Sequence, residues 1–309
     1  MAPEASNSVA APRSTWRDIF LGPRRLRAGW RVLIFSATVT AISALFALTF
    51  QILKLHVVGG WSPVRFLATE AMTPVIGLAA TALVARIDRL PFAVFGITWR
   101  DAFRGRFWEG SLWGFLAVAA LVGMIALGGG YRAHGLALHG AELARMTALW
   151  LAAMTLVGLS EEVVFRGYFL SALSDGVGFS AAAALTSLDF AVTHYLGKPM
   201  ENLADALSVG LIGLFLCFTI RRTGTLWFAI GFHFAFDFAA LALFGAPNTG
   251  NGGRPIEGHL LDGTFTGPDW LTGGVRGMEA SLLVFVVIGA LFVLFHLRHR
   301  EVKFPIPHD

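Results

Sequence analysis

Apolar residues in this chain come in long runs, not at the spaced positions of a one-sided soluble helix. A bilayer span needs roughly 20 such residues. On that ruler eight runs qualify, at 30–53, 64–86, 108–128, 147–172, 180–196, 204–221, 224–244 and 280–297. The fourth is interrupted by Ser160, Glu161, Glu162 and Arg166, which predicts a short break or a shallow position there. The pattern predicts an all-α fold, a polytopic membrane helical bundle of about eight transmembrane helices. It divides into a polar, basic N-terminal segment (1–29), helices one to three with their connections (30–139) and a core of helices four to seven (140–245). An outer loop, the last helix and a basic tail make up 246–309. No apolar run precedes Trp30, so the first span is expected to remain as an anchor. No internal repeat and no coiled-coil heptad is visible, and the Gly/Asn stretch 245–254 reads as a flexible outer loop.

Composition agrees: 55% of the 309 residues are hydrophobic and 14% charged, where a soluble domain carries about a quarter charged. The 35 Gly and 27 Phe suit helices packed closely in lipid. The net charge of +4 then reports topology and not a nucleic-acid partner. Basic residues cluster in the N-terminal segment (Arg13, Arg17, Arg24, Arg25, Arg27, Arg31 against Glu4 and Asp18) and between the second and third spans (Arg86, Arg89, Arg100, Arg104, Arg106). Two further clusters close the sixth span (Arg221, Arg222) and the eighth (Arg298, Arg300, Lys303). With eight spans all four clusters share one side, so the positive-inside rule predicts an integral inner or plasma membrane protein with both termini cytoplasmic. The other side holds 129–146 and 245–279, with Glu257, Asp262 and Asp269. The single cysteine, Cys217, excludes an intramolecular disulfide and a multi-Cys zinc site, and reads as a packing residue.

Ionisable residues inside spans are costly and mark function by default. Here they gather in the second half: Glu161, Glu162 and Arg166, then Asp189 and His194, then His233 and Asp237. At 1.5 Å per residue Glu161 lies about 16 Å, and His194 about 21 Å, from the cytoplasmic ends of their helices, so three helices can each supply one polar chamber. Glu162 and Arg166 are i and i+4 with the acid first, a favourable helical ion pair. Glu161 then points about 100° away and is the carboxylate free to act as a general base. His233 and Asp237 are also i and i+4, so Asp237 is expected to orient the imidazole and fix its tautomer. Asp189 falls about 140° round from His194 and reads as structural. Glu70 reads as a helix-end acid. The zincin H-E-x-x-H helix, the G-x-S-x-G elbow and a Walker A loop are all absent.

Together the motifs are specific. Glu161-Glu162-Val163-Val164-Phe165-Arg166 fits E-E-x-x-x-R, Phe190 to His194 fits F-x-x-x-H, and His233 to Asp237 fits H-x-x-x-N/D. In that order on successive apolar helices they resemble the CPBP family of intramembrane proteases, also called the ABI or type II CAAX prenyl protease family. The opening Leu21-Gly22-Pro23 and Gly29-Trp30-Arg31 also look like bacterial members. The resemblance implies an eight-helix endopeptidase in which Glu161 and His194 prepare a water while the third motif stabilises the oxyanion. Glu162, Arg166 and Asp237 would support them. The family often has Asn where this chain has Asp237, and an ionised Asp only accepts hydrogen bonds. Either Asp237 is protonated, or it orients His233, which then donates alone; the second is favoured here. Glu161, His194 and His233 could also hold Zn²⁺ as an open three-ligand site with Asp237 behind His233, although a metal-free Glu-activated water is the preferred expectation.

The resulting expectation is an endopeptidase cleaving membrane-associated or lipidated peptides, prenylated CAAX-type substrates included, in a cavity open to the cytoplasmic half of the bilayer. Its other partners are membrane lipids. The rivals are a non-catalytic scaffold or immunity protein with the same fold, and a small-solute transporter using the buried carboxylates as a proton relay.

Overall fold

A computed structural model describes residues 19–22, 25–52, 62–198, 200 and 202–304. Of the basic N-terminal segment, Glu4, Arg13, Arg17, Asp18 and Arg24 lie outside the described residues, as do both chain ends.

Each of the eight apolar runs is helical. In order they are α1 (Ala28–Ile52), the broken pair α2 (Pro63–Glu70) and α3 (Met72–Asp88), and α4 (Gly105–Leu127). Next α5 (Gly140–Glu161) passes through a π-helical segment, Glu162–Phe169, into α6 (Leu170–Val177). Then come α7 (Phe179–Gly197), α8 (Leu203–Thr223), α9 (Leu226–Asp237), which continues as a π-helix over Phe238–Leu243, and α10 (Leu283–Arg298). The chain builds a polytopic helical membrane bundle, but among the described residues six stretches, not eight, are long and apolar enough to cross a membrane. The α10 helix is apolar but shorter. The α7 helix, diluted by Ser, Thr, Asp189 and His194, is not among the six.

Local chemistry sets the boundaries. Pro63 opens α2, where a missing N–H is harmless. Asn202 accepts from the amides of Ala204 and Asp205 while Asp205 accepts from the Asn202 amide, a reciprocal cap that starts α8. Gly224, at φ +73, ends α8, and the Thr225 hydroxyl accepts from the Trp227 amide to begin α9.

The axis of the bundle is α9. Every residue from Leu226 to Phe236 except His233 is buried. Lipid gives helices little hydrophobic reason to associate, so close backbone packing through small residues does that work. Gly110 and Gly114 on α4 face α9 so closely that a Cβ would lie 2.0 Å from the Phe228 carbonyl oxygen and 2.2 Å from that of Phe232. Gly231 returns the contact, with a Cβ position 2.0 Å from the Phe107 carbonyl oxygen.

The two ends of the bundle differ. At one, the Arg31 guanidinium donates to Asp88 (2.7 Å) and Asp175 (2.6 Å), and the Tyr168 hydroxyl donates to Asp88 (2.6 Å), tying α1, α3 and α6 together. The same end holds the 89–104 connection under α9, through Leu226 N–H to the Gly96 carbonyl and Trp227 Nε1 to the Thr98 carbonyl. It also holds the segment after α10, which returns to Arg221. The described basic clusters therefore do share one end, although Arg31 is neutralised there by two carboxylates. The opposite end carries a small antiparallel pair absent from the all-helical expectation, β1 (Tyr131–Leu136) with β2 (Leu261–Phe265). It is fastened by Trp150 Nε1 to the Glu257 carbonyl (3.0 Å) and the Ser208 hydroxyl to the Glu279 carbonyl (2.9 Å). The stretch 245–254, expected to be flexible, is a self-bonded turn: Asn248 pairs with Arg254, and Ala246 and Thr249 are buried.

Candidate active site

The interruption expected in the fourth run is real, and it takes the form of a π-helix that begins at Glu162 and kinks at Gly167, whose ψ is −111. Such segments recur at functional sites. Within it Arg166 Nη1 donates to Glu162 Oε1 at 3.0 Å, and both side chains are fully buried. The guanidinium lies over the Phe190 ring, 4.0 Å from its centroid. Gly213 on α8 makes room for it, since a Cβ there would stand 2.7 Å from Arg166 Nη2. Glu161 turns the other way, with its side chain 27% exposed to a cavity.

Helix α7 brings His194 and helix α9 brings His233 to this carboxylate. His194 Nδ1 donates to the Phe190 carbonyl one turn back (2.9 Å), a contact that fixes the tautomer because a carbonyl only accepts. Its Nε2 then faces Glu161 Oε2 at 3.8 Å. His233 Nδ1 meets Glu162 Oε1 at 2.9 Å, leaving Nε2 3.6 Å from Glu161 Oε2 and 3.5 Å from Asp237 Oδ2. Two carboxylates therefore face the ring, Asp237 at Nε2 as the i, i+4 spacing suggested and Glu162 at Nδ1, which that spacing did not show. The second contact comes from the approach of α5 to α9 at Gly158, where a Cβ would lie 3.0 Å from both the Ile230 oxygen and the Phe234 nitrogen. That approach brings Glu162 across to Nδ1, and Asp237 is left beside the outward-facing Nε2.

All six residues singled out by the motifs are thus brought together: Glu161, His194, His233 and Asp237 line a cavity of about 240 Å³, and Glu162 with Arg166 lies behind it. The walls are apolar, with Phe66, Met154, Phe190, Leu216, Phe232 and Phe236. Asp189 is exposed on α7 and takes no part. Sequence reasoning missed Glu70, Lys198, Asn248 and Glu279, which also line the cavity. Glu70 was legible as a charge within a span, and its Oε2 accepts from the Thr73 hydroxyl (3.0 Å) at the break between α2 and α3. Lys198, Asn248 and Glu279 sit in connections that carry no periodic signal. They also place the cavity toward the β1–β2 end of the bundle, not toward the basic end as expected.

The donor types of Glu161, His194 and His233 suit zinc, and both imidazoles present Nε2. Among the described residues, however, no three or more such side chains form a group that could hold a metal ion.

No curated protein and no solved structure matches the chain. Residues 143–239, which run from the first turns of α5 through His194 and His233 to Asp237, match the model of the family described as type II CAAX prenyl endopeptidase Rce1-like. That matched segment, under a third of the chain, carries Glu161, Glu162, Arg166, His194, His233 and Asp237, and it is over this segment that the chain is similar to the family.

Proposed function

We propose that this membrane protease hydrolyses peptide bonds of membrane-associated or lipidated substrates with a water activated by Glu161 and His194. One observation carries the reading: Glu161 Oε2 stands 3.8 Å from His194 Nε2 and 3.6 Å from His233 Nε2, at the wall of an otherwise apolar cavity. At those separations one water can hydrogen-bond to the carboxylate and to an imidazole together. Glu161 takes a proton from the water as its oxygen attacks the scissile carbonyl carbon, and later returns that proton to the departing amine nitrogen. The carbonyl oxygen, now negative, lies against His233, which donates from Nε2 when both its ring nitrogens are protonated. Glu162 holds Nδ1, Arg166 balances Glu162, and Asp237 offsets the charge on the ring.

The test is hydrolysis of a fluorogenic lipid-anchored peptide by the purified chain in lipid discs. Glu161→Gln is expected to cost about 100- to 10,000-fold in rate while leaving folded yield unchanged. A wild-type rate in Glu161→Gln would end this mechanism.

A further inference from the structure

His233 lies near the middle of its helical stretch, seven residues after Leu226 and ten before Leu243, but the cavity it shares with Glu161 and His194 is lined by connections from one end of the bundle only. His194 lies three residues before the end of α7, about 4.5 Å at 1.5 Å per residue, and fifteen residues from its start at Phe179, about 22 Å. Lys198, Asn248 and Glu279 line the cavity, and all belong to connections on the β1–β2 end. Toward the basic end the floor is closed. Val163, Arg166, Leu226 and Trp227 are at most 1% exposed, and the Phe107 ring stacks on Phe234 at 5.6 Å. The basic clusters of the 89–106 connection, Arg221–Arg222 and Arg298–Lys303 sit beyond that floor.

Positive residues mark the cytoplasmic face of a polytopic protein. We propose that the site is entered from the opposite, non-cytoplasmic face, and that its substrates are apolar polypeptide segments presented at or within the outer leaflet. The substrate part of this statement rests on the proteolytic reading given above; the entry side does not. The apolar walls on α2, α5, α8 and α9 suit a hydrophobic segment, and the polar rim of Lys198, Asn248 and Glu279 suits the hydrated chain flanking it. A lipidated tail confined to the cytoplasm would have to cross the packed floor, which sets this chain apart from a processor of cytoplasmic termini.

Buried Cys217 is the single cysteine, so a Cys217→Ala background carries one reporter at a time. Asn248→Cys reports the rim, Val275→Cys the exposed loop of the same end should Asn248→Cys fail to fold, and Arg300→Cys the basic end. A membrane-impermeant maleimide is expected to label the first two in right-side-out vesicles and lose them in inverted ones, with Arg300→Cys reversed. Labelling of Asn248→Cys and Arg300→Cys from the same face, or of Asn248→Cys from the cytoplasmic face, would overturn the entry side. A membrane-impermeant, charged-tag apolar peptide should then be cleaved when supplied on the Asn248 face, and blocking Asn248→Cys with the maleimide should abolish that cleavage. Cleavage from the Arg300 face alone would overturn the proposal and leave the protease reading standing. Cleavage from neither face would overturn the protease reading and the substrate statement with it, while labelling still decides the entry side.

Discussion

Glu161 and Glu162 are chemically identical neighbours whose surroundings give them separate tasks. Glu162 is sealed between Arg166 and His233 Nδ1, whereas Glu161 meets the cavity. Glu162→Gln removes the charge that Arg166 is buried against, and loss of one partner of a buried pair costs about 3–5 kcal/mol. Its expected signature is lower folded yield and a lower thermal midpoint. A normal midpoint with lost turnover would exchange the roles of the two carboxylates. Asp237→Asn keeps the shape beside His233 Nε2 and adds an amide donor, so hydrolysis is expected to persist within about tenfold, while Asp237→Ala should lose about 100-fold or more. If Asn and Ala are equally damaging, the negative charge on Asp237 is what the reaction needs. At this scale the sequence was informative about pairs within one helix, because i and i+4 residues face each other whatever surrounds them. The Glu162–His233 contact was hidden, since it joins two helices and depends on how closely they pack.

That packing is a property of elements. Gly158 sits one turn before the carboxylates and lets α5 touch α9, while Gly110, Gly114 and Gly231 lock α4 to the other side of α9. Overpacking typically costs 1–3 kcal/mol, and at these positions the obstructing atoms are backbone. Gly110→Leu is accordingly expected to lower the thermal midpoint of the purified protein, with activity falling in step. Gly158→Leu is expected to lower turnover more than its midpoint predicts, by separating Glu162 from His233. Equal losses of midpoint and turnover in both variants would deny Gly158 that positioning role. The glycines stood out in the composition, but only the structure shows which ones face a neighbouring backbone. The π-helical break was legible as an interruption, for polar residues there contradict the apolar run, yet its form was not, because hydrogen-bond register leaves no mark in hydropathy.

For the molecule as a whole, the hydropathy runs found every long helix, since lipid demands apolar length. Among the described residues six of the eight are long and apolar enough to cross a membrane, and α7 and α10 are the more polar and the shorter of the set. The β1–β2 end was not legible, being built from Gly-rich connections without periodicity. A water activated by Glu161 without a metal predicts that a strong chelator leaves hydrolysis at its untreated rate, measured in the same lipid-disc assay; a loss restored by added zinc would show that the donors close up around a metal.

The contrast between the first long helix and α9 bears on how the molecule is made. In the hydropathic core of Ala28–Thr49, 6% is buried, against 78% in Leu226–Leu243. The neighbours α4, α5 and α8 all precede α9 in the chain, so during synthesis the slot for α9 exists before α9 does. His233 and Asp237 therefore arrive late, into a site whose Glu161, Glu162 and His194 are already in place. A chain stalled between His194 and Leu226 would hold both carboxylates and one imidazole but neither His233 nor Asp237, so the site would be incomplete until biogenesis was nearly finished.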